Sequence, residues 1–149
     1  MKSFLPAVIF FIFFTSILYS QEVIISSFDI NNDGWTVSGG LLHYYNSGGN
    51  PDGFIEFEDD QDGAGVFIAP NKFLGDLSSY DQGTLSFDLK NTYDNGQDSL
   101  WGYGNVKISS TNSSAQKNVV PLMVYSAWTS FTIPLTAADW GLTESGWDS

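Results

Sequence analysis

The stretch FIAPNKFLGD, residues 67–76, followed after a short turn by GTLSFDLKN, residues 83–91, decides the fold that this sequence predicts. In the second segment apolar and polar residues alternate strictly, which is the period of a strand with one buried and one exposed face. In the first segment Pro70 ends a short β run, because proline cannot donate to a sheet ladder. The two segments therefore predict two strands joined by a connector.

The connector, residues 71–76, carries its own predictions. Phe73 and Leu74 are too large and apolar to be left in water as a pair, so we expect the connector to fold back over one end of a core. Gly75 is free to take a positive φ, and Asp76 is suited to accept bonds from nearby backbone amides.

Short apolar runs bounded by Gly, Asn, Asp, Ser and Pro recur through the chain, without a helical period of useful length. This pattern predicts an all-β fold, as an antiparallel β-sandwich or barrel. We expect residues 34–37 and 41–45 to form a hairpin over the turn at 38–40, and the strands holding Pro121 and Pro134 to be edges or bulged. The predicted strands cover residues 23–28, 34–37, 41–45, 53–57, 65–69, 83–91, 104–109, 118–125 and 130–135.

The order of strand, AP-x-KFLGD, Ser-x-Tyr, glycine turn and LSFDL resembles the laminin IV type A (laminin B) domain family, found in laminins, perlecan and many secreted bacterial proteins. The segment GGNPDGFIEFED, residues 48–59, and the aromatic strand around Trp35 are similar to the same family, so the resemblance runs from about Phe28 to Trp140. It implies a jelly-roll β-sandwich of the galactose-binding-like kind. The family's further strands after Trp140 have no counterpart here, so we expect a domain incomplete at its C-terminus, a fragment of a longer protein rather than a natural short form.

The N-terminal residues 1–20 read as a secretory signal peptide. Lys2 is its one charge, residues 4–18 are almost wholly apolar, and the small Ser20 precedes the polar Gln21. An uncleaved membrane anchor is the alternative, but the apolar run is short for a bilayer span. We therefore expect residues 21–149 to be one secreted domain, free of the membrane after cleavage.

The excess of acidic over basic residues limits the classes of partner that the protein is expected to bind. The chain has 5 basic and 17 acidic residues, a formal net charge of −12, and its basic residues are all lysine. Such a surface argues against nucleic acid and anionic lipid as partners. It is compatible with metal cations, with neutral glycans or simply with solubility, and the last interpretation suits acids scattered through turns.

Catalytic residues are scarce in the sequence. His43 is the only histidine and there is no cysteine, so a catalytic triad or a zinc site is not expected. Glu56 and Glu58 share one face of a predicted strand, yet paired glycosidase carboxylates flank a sugar in a cleft. We interpret them as an exposed face opposite apolar neighbours, and we expect the protein not to be an enzyme.

A structural calcium site is the one cofactor that the sequence raises. Asp29, Asn31 and Asp33 in DINNDG, residues 29–34, match the first half of an EF-hand loop, with oxygen ligands at alternate positions. The second half fails, because the bidentate acid would fall at Gly40, so further acids would have to come from elsewhere, such as residues 58–62. Asx hydrogen bonding in a turn explains the same residues equally well. No cofactor is required by either interpretation.

A ligand site is predicted in the loop of residues 91–104, NTYDNGQDSLWGYG. Tyr93, Trp101 and Tyr103 stand there among hydrogen-bonding residues, a mixture that suits sugar rings, although the same aromatics would also serve to close one end of the core. We therefore expect a secreted, non-catalytic structural or adhesion module. The alternative is a carbohydrate-binding module of a larger secreted protein, and the partner is an extracellular glycan or protein.

Overall fold

A computed structural model describes residues 22–60, 65–91, 105–110, 113–119 and 125–147. Strands are the main regular structure of these residues, and the helices are single turns. The eight strands are β1 (Thr36–Ser38), β2 (Leu41–Tyr45), β3 (Phe54–Glu58), β4 (Val66–Ile68), β5 (Thr84–Asn91), β6 (Asn105–Ser109), β7 (Ser114–Asn118) and β8 (Tyr125–Pro134). Short 3-10 helices cover Asn71–Phe73, Ser78–Tyr80 and Ala138–Trp140, and one α-helix, α1, covers Glu144–Trp147.

The strands pair two by two and always antiparallel. β1 pairs with β4, β2 with β3, β5 with β8, and β6 with β7. This arrangement confirms the all-β class that the alternating pattern predicts.

The longest pair, β5 with β8, shows why the alternation in the sequence matters. Residues of β5 are alternately exposed and half-buried along its whole length, as predicted. On the inner face Leu85 lies opposite Ile133, and Phe87 lies opposite Phe131 with ring centroids 5.6 Å apart. On the outer face the Ser86 and Thr132 hydroxyls are 3.0 Å apart. Apolar contacts inside and hydroxyl bonds outside fix the register of the pair.

The main core forms where this inner face meets the β6–β7 hairpin and the C-terminal turns. Ile133, Trp140 and Ala115 are buried together, and the half-buried residues packed against them include Val106 and Trp147. The Trp140 indole Nε1 donates to the Pro134 carbonyl at 3.0 Å, so the polar atom of this large side chain is satisfied inside the core.

The connector after β4 behaves partly as predicted. Phe73 packs against Trp35 with ring centroids 5.7 Å apart, and Gly75 adopts φ 99°. The Asp76 carboxylate accepts from the Ser78 amide at 3.0 Å, and this bond holds the pKa of Asp76 below its ordinary value. Leu74 does not follow Phe73 inward and is exposed, so that part of the prediction was wrong.

The predicted hairpin of residues 34–37 with 41–45 is wrong. β1 pairs with β4, and β2 pairs with β3. Gly39 has φ 85°, and a side chain on Gly40 would reach within 2.5 Å of the Phe57 ring. The turn therefore sends the chain from one sheet to another, under the ring of Phe57, instead of folding it back on itself.

Two further differences from the predicted strands are a predicted strand that does not form and a strand that the sequence did not predict. Residues 23–28 do not form a strand: the Phe28 carbonyl accepts from the Tyr44 hydroxyl at 3.0 Å, and the Ile25 carbonyl accepts from the Lys72 ammonium. Side-chain donors replace a neighbouring strand there. In contrast, β7 is a strand, although Asn118 is its only residue in a predicted strand. The sequence SAQKN is polar apart from Ala115, so it shows no strand pattern.

Of the two prolines predicted to lie inside strands, the structure describes Pro134. Pro134 is the last residue of β8, opposite Thr84 at the start of β5, so it ends the strand rather than interrupting it. Pro121, in the other strand predicted to be bulged or an edge, lies outside the described residues.

Candidate functional site

The aromatic loop predicted to bind a ligand lies outside the described residues. Tyr93, Trp101 and Tyr103 all fall in the range 92–104. Two other places in the described residues gather polar side chains: the turn at residues 29–34 and the exposed face of β2 and β3.

The turn at residues 29–34 is an Asx turn. The Asn31 side-chain oxygen accepts from the Asp33 amide at 2.6 Å, and the Asn32 side-chain nitrogen donates to the Trp35 carbonyl at 2.8 Å. Asp33 and Gly34 both have positive φ and are the central residues of the β-turn that the Trp35 amide closes by donating to the Asn32 carbonyl at 3.0 Å. Local hydrogen bonding thus accounts for the asparagines of DINNDG.

Lys72 ties this turn to the connector after β4. Its ammonium donates both to the Asp33 carboxylate and to the Ile25 carbonyl. These groups line a cavity of about 260 Å³, together with hydrophobic residues of the N-terminal segment. Asp29 and Asn31 also line it. All three predicted calcium ligands, Asp29, Asn31 and Asp33, therefore line one cavity.

The cation that the structure places in this cavity is Lys72. The Asp33 carboxylate is bonded to it, and the Asn31 oxygen is bonded to the backbone. In the part of the chain that the structure describes, no three His, Asp or Glu side chains gather as metal ligands. Calcium at this turn stays a prediction, and a calcium ion there would have to displace the ammonium of Lys72 from Asp33.

The Lys72–Asp33 pair makes stability depend on acid pH. Hydrogen bonds from Lys72 and then Ser26 hold the pKa of Asp33 below its ordinary value of 3.8. A lowered carboxyl pKa contributes stability above the ordinary value, and that stability is lost as pH falls through the folded-state pKa. We expect Lys72→Gln to unfold more easily at neutral pH and to lose less stability than the wild type below about pH 4.

Urea unfolding at a series of pH values measures this difference. Lys90→Gln is the control, because it removes an exposed lysine of β5 and changes the net charge equally. If Lys72→Gln and Lys90→Gln show the same pH profile, the pair contributes nothing specific.

The exposed face of β2 and β3 gathers polar and aromatic side chains. The register places His43 opposite Glu56 and Tyr45 opposite Phe54. Since opposite residues share a face, these four side chains lie together with Glu58, while Tyr44 and Phe57 point to the other face. We call this set, Leu41, His43, Tyr45, Phe54, Glu56 and Glu58, the hairpin face. The prediction that Glu56 and Glu58 share an exposed face is confirmed.

His43, the only histidine of the chain, is bonded on this face. Its Nε2 lies 2.6 Å from a Glu58 carboxylate oxygen, and both side chains are partly exposed. The imidazole is thus oriented by a carboxylate on a strand surface. This contact is a surface pair between residues of neighbouring strands.

Three aromatic rings adjoin the polar side chains of the hairpin face. Tyr45 and Phe54 stack with centroids 4.7 Å apart and planes inclined by 14°. Trp128 of β8 meets Phe54 edge to face at 5.3 Å, and its indole Nε1 donates to the Gly48 carbonyl at 2.8 Å. The Glu56 carboxylate beside the Tyr45 hydroxyl raises the pKa of Tyr45 above its ordinary value.

Sequence reasoning missed this aromatic group. The signal within reach was the run LLHYY of β2, whose alternation puts His43 and Tyr45 on one side. Trp128, by contrast, is 80 residues from the Gly48 carbonyl that it contacts, so no local pattern points to it.

Comparisons of the chain with protein-family models, with curated proteins and with solved structures find no match. The resemblance to laminin IV type A domains therefore stays a prediction from the sequence.

Among the described residues, no helix is both long and apolar enough to cross a membrane.

Proposed function

We propose that this chain is a secreted, non-catalytic extracellular module with a structural or adhesion role, folded as a jelly-roll β-sandwich like the laminin IV type A domains that its sequence resembles. The observation that carries the proposal is the hairpin face, where stacked rings and two carboxylates are held at the surface by neighbouring strands. Fixed aromatic and polar groups on a rigid sheet are the chemistry of recognition.

The composition supports the non-catalytic part of the proposal. The chain has no cysteine, and its one histidine bonds to the Glu58 carboxylate rather than to a serine or threonine hydroxyl, the contact that a base-activated hydroxyl nucleophile would need. Glu56 and Glu58 stand two residues apart on one strand surface, so they would meet the same side of a sugar instead of flanking its glycosidic bond.

A second candidate is a carbohydrate-binding module of a larger secreted protein. The specific observation in its favour is Tyr45, which stacks on Phe54 and is still 42% exposed. An adhesion module and a carbohydrate-binding module differ in their ligand, a protein or a glycan, and the same experiment separates them.

The test begins with the full chain expressed for secretion. We expect it in the medium with Gln21 as its first residue, folded, and without turnover of glycosidase, esterase or peptidase substrates. A chain that stays with the membrane after carbonate extraction would contradict secretion. Turnover that disappears in Glu56→Gln would contradict the non-catalytic proposal.

The secreted chain is then immobilised and probed with extracellular matrix proteins and with a glycan array, in calcium and in chelator. We expect retention of a matrix protein or a glycan, and no retention of either would overturn the proposal. Retention that needs calcium and is lost in Asp33→Asn would bring the turn at residues 29–34 into the function.

A further inference from the structure

Tyr45 presents a flat, fixed ring to solvent. One side of the ring is covered by Phe54 at a centroid distance of 4.7 Å, and 42% of the residue remains exposed. A tyrosine with one side packed and the other open is a planar apolar surface with a polar rim. The C–H face of a pyranose ring has the shape and polarity to stack on such a surface.

The ring is held in place before any ligand arrives. Phe54 packs edge to face against Trp128, and the Trp128 indole N–H donates to the Gly48 carbonyl. Glu56 lies on the same face as Tyr45, and its carboxylate raises the pKa of the Tyr45 hydroxyl. Because these groups are already ordered, a ligand stacking on Tyr45 loses little side-chain entropy, which favours affinity at a small site.

Hydrogen-bond acceptors stand beside the ring. The Glu58 carboxylate accepts from the His43 imidazole, and the exposed Glu56 carboxylate lies on the same face. A carboxylate offers about four acceptor positions, so both retain capacity for further donors. Sugar hydroxyl groups are such donors, and bonds to an ionised carboxylate are stronger than bonds between neutral groups.

Charge selects the class of ligand. The face carries two carboxylates and the whole chain a net charge of −12, so an anionic ligand is repelled both locally and at long range. An uncharged ligand is not repelled, and one that is rich in hydroxyl donors and apolar on one face matches both the carboxylate acceptors and the exposed Tyr45 ring.

We propose that the hairpin face binds an uncharged glycan, with one pyranose ring stacked on Tyr45 and sugar hydroxyl groups donating to Glu56 and Glu58. This inference rests on the proposed extracellular binding function and gives its carbohydrate-binding form a site and a ligand class. The site lies on two paired strands, apart from the loop of residues 91–104 in which the sequence alone predicts it.

The test is calorimetric titration of the full secreted chain with uncharged hexasaccharides of glucose, xylose and mannose, and with hexagalacturonate as the anionic counterpart. We expect one or more uncharged hexasaccharides to bind and hexagalacturonate not to bind. Tyr45→Ala should weaken binding about tenfold or more, because it removes the stacking surface, whereas Tyr45→Phe should change it about twofold. Glu56→Gln should weaken it about threefold to tenfold, since the charge-assisted bonds become neutral ones.

Phe67→Ala is the matched control. Phe67 is an aromatic residue of β4 that is also 42% exposed, and it lies outside the hairpin face, so its loss should leave affinity unchanged. Should Tyr45→Ala fail to give a folded protein by its melting curve, Glu56→Gln decides alone, as an isosteric change at an exposed residue.

Each contrary result has its own meaning. Binding of uncharged hexasaccharides that is the same in the wild type, Tyr45→Ala and Glu56→Gln overturns the site, while the carbohydrate-binding function stands. Tighter binding of hexagalacturonate overturns the ligand class. Absence of binding to every uncharged hexasaccharide, by a folded chain that still retains a matrix protein, overturns the inference and leaves the adhesion function in place.

Discussion

Ile133→Ala should lower the free energy of unfolding by about 2–5 kcal/mol, the usual cost of deleting a buried isoleucine side chain down to its Cβ. Ile133 is 1% exposed and lies opposite Leu85, in the cluster that also buries Trp140. Half-buried side chains from β5, from the β6–β7 hairpin and from the C-terminal turns pack against that cluster. The space left by the side chain therefore cannot be filled by the movement of one neighbour alone.

Ile30→Ala is the control for this prediction. The substitution is chemically the same, but Ile30 is 87% exposed, so the expected change is within about 0.5 kcal/mol. Urea unfolding of the full secreted chain, followed by tryptophan fluorescence, measures both variants. Equal losses of stability in the two variants would contradict the burial of Ile133 in the core.

Gly53→Ala should destabilise the protein by about 3 kcal/mol or more, at or beyond the upper end of what overpacking costs. A Cβ on Gly53 would lie 1.9 Å from the Phe28 carbonyl oxygen and 3.0 Å from the Tyr45 carbonyl oxygen. Both obstacles are backbone, and the Phe28 carbonyl is also held by the Tyr44 hydroxyl. Neither obstacle can rotate away as a side chain would, so the chain before β1 or the start of β3 must shift.

Gly146→Ala provides the comparison at a glycine whose nearest obstacle is a side-chain hydroxyl, which can move, and not a backbone carbonyl. The nearest atom to its new methyl group is the Thr143 hydroxyl oxygen at 3.3 Å, and the residue lies in α1, where alanine is favoured by up to about 1 kcal/mol. We expect no loss of stability from this variant. A Gly53→Ala protein as stable as Gly146→Ala would contradict the close approach of the segment at Phe28 to β3.

β5 shows how far the sequence alone reaches. Its strict alternation predicts a strand over residues 83–91, and the strand runs from Thr84 to Asn91 with the predicted face inward. The same reasoning finds β2, β3, β4 and β6 within one residue at each end. Local pattern suffices there because each strand has one apolar and one polar face, so its own residues decide which side is buried.

β7 and the failed hairpin show where that reasoning stops. SAQKN has no alternation of large apolar groups, and it becomes a strand through its pairing with β6. The choice of β4 as the partner of β1, and of β3 as the partner of β2, depends on contacts such as that of Phe57 with Phe67. The paired residues of β1 and β4, such as Thr36 and Ile68, are too far apart in the chain for any short window of sequence to contain both.

The sequence by itself determined the all-β class, most of the strands and the shared exposed face of Glu56 and Glu58. It also determined the acidic charge that argues against nucleic acid and anionic lipid. Only the tertiary structure decided which strands pair, that Lys72 bonds to the turn at residues 29–34, and that Trp128 packs against Phe54. The reason is physical: periodicity tells each strand which face to bury, while the partner that covers this face is chosen by the packing of residues far apart in the chain.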